Sequence, residues 1–243
     1  MPEYLIGTSG WHYEDWKGLF YPHDLPKSRW LEFYARHFPT VELNNSFYRL
    51  PSEKAFTNWW KSAPNGFIFA VKASRFITHV KRLKEVEEPL HNFLERSDLL
   101  GDKVGPVLYQ LPPNMRRNDD RLESFLSILP EGHRNVLEFR HESWFDNDVF
   151  KILKRHNAGW CIFDMPELAS PLVATSDFAY VRFHGSDGLY SSSYSDKQIA
   201  AWAEKIAALS KGLKTVYVYF NNDVAGYAID NARTLTKILN HKF

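Results

Sequence analysis

The stretch NVLEFRHESWFDNDVFKILKRHNAGWCIFD, residues 135–164, reads in order as a strand, a helix and a second strand. Its first run, Asn135–Arg140, and its last run, Trp160–Asp164, are short and almost continuously apolar. Strands that helices cover on both faces have this composition. The intervening DNDVFKILKRH places apolar residues at helical spacing. This segment therefore predicts a strand–helix–strand unit of an α/β sheet.

The same alternation extends along the whole chain. Helical segments fill most of the gaps between apolar runs, and Ser195 with Gln198 has the spacing of a capping box before one of them. The gap between Asp164 and Phe178 differs, because MPELASPLVATSD contains two prolines and leaves no room for a good helix. The predicted strands are Tyr4–Thr8, Thr40–Asn44, Phe67–Lys72, Pro106–Leu111, Asn135–Arg140, Trp160–Asp164, Ala179–His184 and Thr215–Asn221.

Eight strands with alternating helices predict an α/β fold, a single (β/α)8 TIM-like barrel. The helix between strands 6 and 7 is expected to be missing or reduced. Residues 1–243 are expected to form one domain, since no linker, repeat or low-complexity tract interrupts them. An open doubly wound sheet is the alternative fold. It lacks its main support, because GTSGWHYEDW after the first strand is not the Gly-rich dinucleotide fingerprint.

Composition narrows the class of protein. The chain is 44% hydrophobic and 24% charged with a net charge of +1, so any attraction to nucleic acid must come from a local patch. A single cysteine, Cys161, fits a reducing compartment. The start, MPEYLIGTSGW, has no basic segment followed by an apolar one, and no apolar run approaches ~20 residues. We therefore expect a cytoplasmic protein with no signal peptide and no membrane partner.

Polar side chains collect where the predicted strands end, which is the working face of such barrels. Because side chains alternate along a strand, Glu42 with Asn44, Glu138 with Arg140, and Arg182 with His184 should share a face. The apolar residues between them should point toward the helices. Together with Lys72 at the end of the third strand, the two arginines give three cations against two carboxylates. An anionic ligand would balance this positive surplus. A structural network of ion pairs is the alternative interpretation.

The leading hypothesis is an enzyme of hydrolase or lyase type that acts on a phosphate- or carboxylate-bearing substrate. One glutamate would act as the base, and the other glutamate or the histidine as the acid. The expected catalytic residues are Glu42, Glu138 and His184. The expected substrate-binding residues are Lys72, Arg140 and Arg182 for the anion, Asn44 and Asn221 for orientation, and Trp11, Tyr13, Tyr48 and Trp144 as walls.

Three other functions stay open. The first is a glycosidase that uses Glu42 and Glu138 as its carboxylate pair. The second is a metal-dependent phosphodiesterase or DNA-repair nuclease, although the sequence has no zinc-site motif or Cys/His cluster and no cofactor is expected. The third is a non-catalytic protein that binds nucleic acid or a small molecule. The oligomeric state is not determined by the sequence.

A basic loop follows the third strand. It reads ASRFITHVKRLKEVE and carries Arg75, His79, Lys81, Arg82 and Lys84. Such a segment is either a solvated basic surface or a flap over an anion or a phosphate backbone. The second interpretation allows nucleic acid as a partner of this loop.

Several motifs resemble the YecE-like family, also called domain of unknown function 72. They are IGTSGWHYEDWKGLFYP, VELNNSFYRLP, LEFRHESWF, YVRFHG and VYFNND, and the resemblance runs from Tyr4 to the last helix. It implies a cytosolic TIM-like barrel of bacteria or archaea without an established activity. Positions that recur in the family fall here on Trp11, Glu42, Asn44, Phe47, Tyr48, Glu138, Arg140, Trp144, Arg182, His184, Gly185 and Asn221.

Overall fold

A computed structural model of the chain describes residues 2–242. In this part of the chain the strands follow one another in chain order around a closed barrel, and each strand pair with a determined register is parallel. The predicted TIM-like barrel is confirmed. Its strands are β1 Glu3–Thr8, β2 Thr40–Leu43, β3 Ile68–Lys72, β4 Val104–Gln110, β5 Asn135–Glu138, β6 Gly159–Asp164, β7 Phe178–Phe183 and β8 Thr215–Phe220.

The predicted strand bounds lie within two residues of these. Some of the differences fall on polar residues that follow a strand, among them His184 and Asn221. His184 and Asn221 lie just beyond β7 and β8, yet their amides still donate to the carbonyls of Asp164 and Phe183, at 2.9 and 2.7 Å. The backbone thus stays ordered by hydrogen bonds one residue past the strands, so their side chains start from fixed positions.

The helices of the described residues lie between the strands. None forms between β6 and β7 in residues 165–177, as the two prolines predicted. Loop side chains bond to the strand backbone there: Ser170 Oγ accepts from the amide of Phe163 at 2.8 Å, and Thr175 Oγ1 from that of Trp160 at 2.7 Å. The helices are α1 Trp30–Tyr34, α2 Asn45–Tyr48, α3 Glu53–Ser62, α4 Glu87–Ser97, α5 Asp119–Ser127, α6 Asn147–Arg155, α7 Asp196–Leu209 and α8 Tyr227–Lys242.

Local chemistry sets the start of α7. Ser195 is its N-cap, and Gln198 completes the predicted capping box.

Gly185, which follows β7, has φ of +106°, and a Cβ there would lie 2.3 Å from the carbonyl oxygen of Gly188. Only glycine fits this turn without a shift of the backbone.

The chain divides into two compact units. The first comprises residues 2–42, 162–172 and 177–242, and the second comprises residues 43–161 and 173–176. The expectation of a single domain stays a prediction. None of the helices between residues 2 and 242 is long and apolar enough to cross a membrane.

Candidate functional site

Glu42 is the centre of a buried polar group in the first unit. It lies in β2 and has no exposed surface. Ser9 Oγ and Arg182 Nη2 both donate to its Oε1 at 2.8 Å, and the Tyr180 hydroxyl donates to its Oε2 at 2.6 Å. Burial, and then the charge of Glu42, raise the pKa of Tyr180 well above its usual range, so this hydroxyl stays a donor. Each carboxylate oxygen is therefore already occupied.

Arg182 lies in β7 and His184 directly follows the strand, and both are fully buried. The guanidinium of Arg182 forms an ion pair with Glu42. Asn221 Nδ2 donates a hydrogen bond to His184 Nδ1 at 3.1 Å. The Tyr190 ring packs edge-on against the His184 ring, with the ring centroids 5.5 Å apart. Arg182 was expected to bind the anion of a ligand, but in the structure its guanidinium is buried against a carboxylate of the protein.

Asp223 is a titratable residue of this unit that the sequence reasoning missed. It is half-buried beyond β8, and the Trp16 indole donates to its backbone carbonyl at 2.9 Å. Burial raises the pKa of its carboxyl to about 7; the charge of Glu42 adds to this, while the Tyr13 hydroxyl and Arg182 oppose it. Among residues 2–242, no group hydrogen-bonds to its buried Oδ1.

A signal for Asp223 was present in the sequence. It is the last residue of the motif VYFNND and comes directly after the two asparagines that follow β8. Its partner Tyr13, expected as an aromatic wall, donates its hydroxyl to the Ser9 carbonyl at 2.5 Å. Tyr13 therefore contributes a polar group as well as a ring.

The second unit contains the other glutamate. Glu138 is fully buried in β5, and Arg140 forms an ion pair with its Oε1. Cys161 Sγ lies 3.5 Å from the other oxygen. The Arg140 side chain keeps 8% of its surface exposed, so the pair reaches the surface on its basic side. Both glutamates are thus held by an arginine, which removes the pair of open carboxylates that a glycosidase needs.

A lysine, two aromatic rings and a histidine form a second group in this unit. Lys72 Nζ lies 4.3 Å from the ring centroid of Phe47, which is 5.0 Å from the ring of His79. Phe47 also packs edge-on at 5.1 Å against Tyr48, and Tyr48 is 81% exposed. The ends of β2 and β3 and the loop after β3 therefore meet around Phe47.

The electrostatics around His79 are strongly positive. Burial, and then the charges of Lys72, Arg75 and Arg82, lower the pKa of His79 to about 4, while Glu138 acts in the opposite direction. The histidine is therefore neutral at physiological pH although cations surround it. These cations come from the end of β3 and from the predicted basic loop, which contains the helical turn Phe76–Val80.

The aromatic walls turn out to differ from one another. Trp144 is fully buried, stacks on Phe139 at 4.6 Å and donates to the carbonyl of Met115 at 2.7 Å. The expectation that it lines a ligand site stays a prediction, although Trp144 has no exposed surface. Trp11 is also buried. Of the expected walls, Tyr48 presents the largest surface.

Two further features limit the chemistry. Within residues 2–242, no group of three or more His, Cys, Asp or Glu side chains is placed to hold a metal ion, so the metal-dependent alternative finds no ligand set there. A cleft of about 580 Å³ lies at the amino-terminal ends of β5 and β6, and the residues described along it include no expected site residue. In barrels of this type, that end serves stability rather than catalysis.

Comparison with known proteins identifies relatives over the whole chain. A UPF0759 protein of Bacillus subtilis, YunF, is 28% identical over 277 residues, covering 98% of this chain and 95% of the relative. A DUF72 family protein of Thermotoga maritima has a crystal structure with a TM-score of 0.89 at 32% identity, covering 98% of this chain and all of that one.

A more distant structure shows the likeness of fold alone. The D-psicose 3-epimerase of Clostridium cellulolyticum is 13% identical with a TM-score of 0.58, and 97% of each chain is covered. The family model described as a protein of unknown function, DUF72, matches residues 5–243. This chain therefore belongs to the DUF72 family.

Proposed function

We propose that this chain is an enzyme of hydrolase or lyase type that binds a phosphate- or carboxylate-bearing substrate at the carboxyl ends of its strands. The observation that carries the proposal is the contact of Lys72 and His79 with the same ring, that of Phe47, at 4.3 and 5.0 Å, together with the charges of Lys72, Arg75 and Arg82 that lower the pKa of His79. Cations gathered in a partly desolvated place favour an anion, because charge-assisted hydrogen bonds are about twice as strong as neutral ones.

Within the second unit, Lys72 and Arg140 are the groups for the anion. Arg140 offers the planar, multi-donor head that suits phosphate and carboxylate, and its partner Glu138 fixes that head in place. Arg182, first expected in this role, is instead assigned to hold Glu42 in the first unit. Asn44, half-buried where β2 gives way to α2, keeps its proposed role of orienting the substrate.

Within the first unit, Asp223 is the group best suited to move a proton. General acid–base catalysis is most efficient when the pKa of the group lies near the working pH. The pKa of Asp223, about 7, meets this condition, whereas both oxygens of Glu42 already accept hydrogen bonds from Ser9, Arg182 and Tyr180. We therefore transfer the acid–base role in this unit from Glu42 and His184 to Asp223.

Titration with inorganic phosphate tests the anion site. The wild-type chain should bind phosphate in a calorimeter, and Lys72→Met should weaken binding about tenfold, since a charge-assisted hydrogen bond contributes on the order of 1.5 kcal/mol. The matched control is Lys54→Met, because Lys54 is an exposed lysine on α3. Equal loss in both variants, or no loss in either, would rule out this site.

A non-catalytic binding protein is the second candidate. It is favoured by the complete pairing of both buried glutamates with arginines. A panel of phosphate and carboxylate esters distinguishes the two. Turnover that falls in Asp223→Asn supports the enzyme, whereas binding without turnover supports the second candidate.

A further inference from the structure

We propose that the anion site of the second unit is built for a phosphate ester of an aromatic ring system, a nucleotide, with Tyr48 as the surface on which the base stacks. This inference rests on the proposed anion site and names its substrate class. It follows from three features of the segment after β2: an exposed ring, a rigid support and adjacent cations.

The exposed ring is that of Tyr48, 81% of which is accessible. Single exposed apolar groups are ordinary on protein surfaces. Here, however, two more exposed apolar side chains, Phe76 at 45% and Val80 at 58%, bound the helical turn that contains His79. Since His79 packs on Phe47, the residue next to Tyr48, these side chains belong to one end of the second unit.

The support under Tyr48 is rigid. Ser46 is fully buried and donates its hydroxyl to the carbonyl of Lys72 at 2.7 Å, which ties α2 to the end of β3. Phe47 is buried and contacts the Tyr48 ring edge-on. Ser46 and Phe47 thus anchor the segment that carries Tyr48, and a tyrosine side chain has few rotatable bonds to order when a second ring stacks on it.

The cations are close to the same support. The Lys72 ammonium group is over the Phe47 ring, and Arg75 and Arg82 act on His79 beside it. A ligand that combines a planar ring with a phosphate could use both groups, because Phe47 contacts the Tyr48 ring as well as the Lys72 ammonium group. A phosphate or carboxylate without a ring would leave Tyr48 unused. Because the ring would be stacked on an open surface, we expect little selectivity among bases.

Titrations with adenosine 5′-monophosphate, inorganic phosphate and adenosine test the inference. The nucleotide should bind about tenfold more tightly than phosphate, in keeping with the usual contribution of one stacked base. Tyr48→Ala should remove this advantage, Tyr48→Phe should retain it, and Lys72→Met should weaken both anions. The exposed position of Tyr48 means that both substitutions leave folding intact, which thermal melting checks.

The outcomes separate this inference from the proposed function. Phosphate binding without any gain from the base, or a gain that survives in Tyr48→Ala, overturns the inference and leaves the anion site standing. Loss of all binding to phosphate overturns both. A ten-nucleotide single strand distinguishes two sources of the same ligand. If it binds more tightly than the mononucleotide and with steep salt dependence, the natural ligand is a strand; otherwise, it is a single nucleotide.

Discussion

At the scale of single residues, Asp223 is where local sequence and chemical behaviour differ most. An aspartate after a strand would ordinarily be ionised, but burial raises its pKa to about 7. A carboxyl whose folded pKa lies above its unfolded pKa binds more protons when folded, so it contributes less to stability as pH rises from about 4 to 7.

The first prediction follows from this sign. Asp223→Asn removes the cost of ionising a buried carboxyl and should raise the free energy of unfolding at pH 8 by on the order of 2 kcal/mol. At pH 4 the gain should vanish, because the wild-type carboxyl is then protonated. Urea unfolding at both pH values measures the difference. Asp230→Asn on α8, an exposed aspartate, is the control. A gain of equal size at pH 4 would contradict the assignment.

Glu42 differs from Asp223 because hydrogen bonds reach both oxygens of its buried carboxylate. Glu42→Gln should lower the free energy of unfolding by about 3 kcal/mol, because it leaves the charge of Arg182 buried without its carboxylate. Chemical denaturation of the variant provides the measurement. The double variant Glu42→Gln/Arg182→Met should recover part of this loss. If the double variant loses more unfolding free energy than Glu42→Gln and Arg182→Met lose together, the broken ion pair does not explain the loss in Glu42→Gln.

At the scale of elements, β3 and the basic loop after it act together. Lys72 ends the strand, and Arg75, His79 and Arg82 follow within ten residues. The charges of Lys72, Arg75 and Arg82 all oppose protonation of His79. The loop turns locally: Arg82, Leu83 and Glu85 adopt positive φ, a conformation uncommon for residues other than glycine.

The charges in this element make a prediction for His79. Its pKa of about 4 should rise in Lys72→Met, since one of the cations that oppose its protonation is removed. Bound phosphate should also raise the pKa of His79, because its negative charge favours the protonated imidazole. Proton NMR of the imidazole between pH 3 and 8 measures both effects, with Lys54→Met as the control. An unchanged pKa in Lys72→Met would show that Lys72 does not act on the imidazole.

At the scale of the whole molecule, the net charge of +1 conceals an uneven distribution. Buried ion pairs hold the glutamates of both units, while several cations of the second unit gather around one neutral histidine. Attraction of an anion must therefore come from this local group, and it should be strongest within about 8 Å at physiological salt.

The alternation of strands and helices was predictable from the sequence, down to the missing helix between β6 and β7. So were the residues at the strand ends and the capping box at Ser195. These features depend on local rules: side chains alternate along a strand, prolines prevent helices, and caps bond to the backbone three residues away.

Which of those side chains stay available was decided by the tertiary structure alone. Arg182 meets a carboxylate 140 positions away in the chain, Trp144 is buried against Phe139, and Tyr48 remains exposed. The physical reason is that desolvation and ion pairing depend on neighbours brought from distant parts of the chain. Local patterns in the sequence thus predict the barrel and the polar residues near its strand ends, while folding determines which of those residues are buried in pairs and which stay exposed.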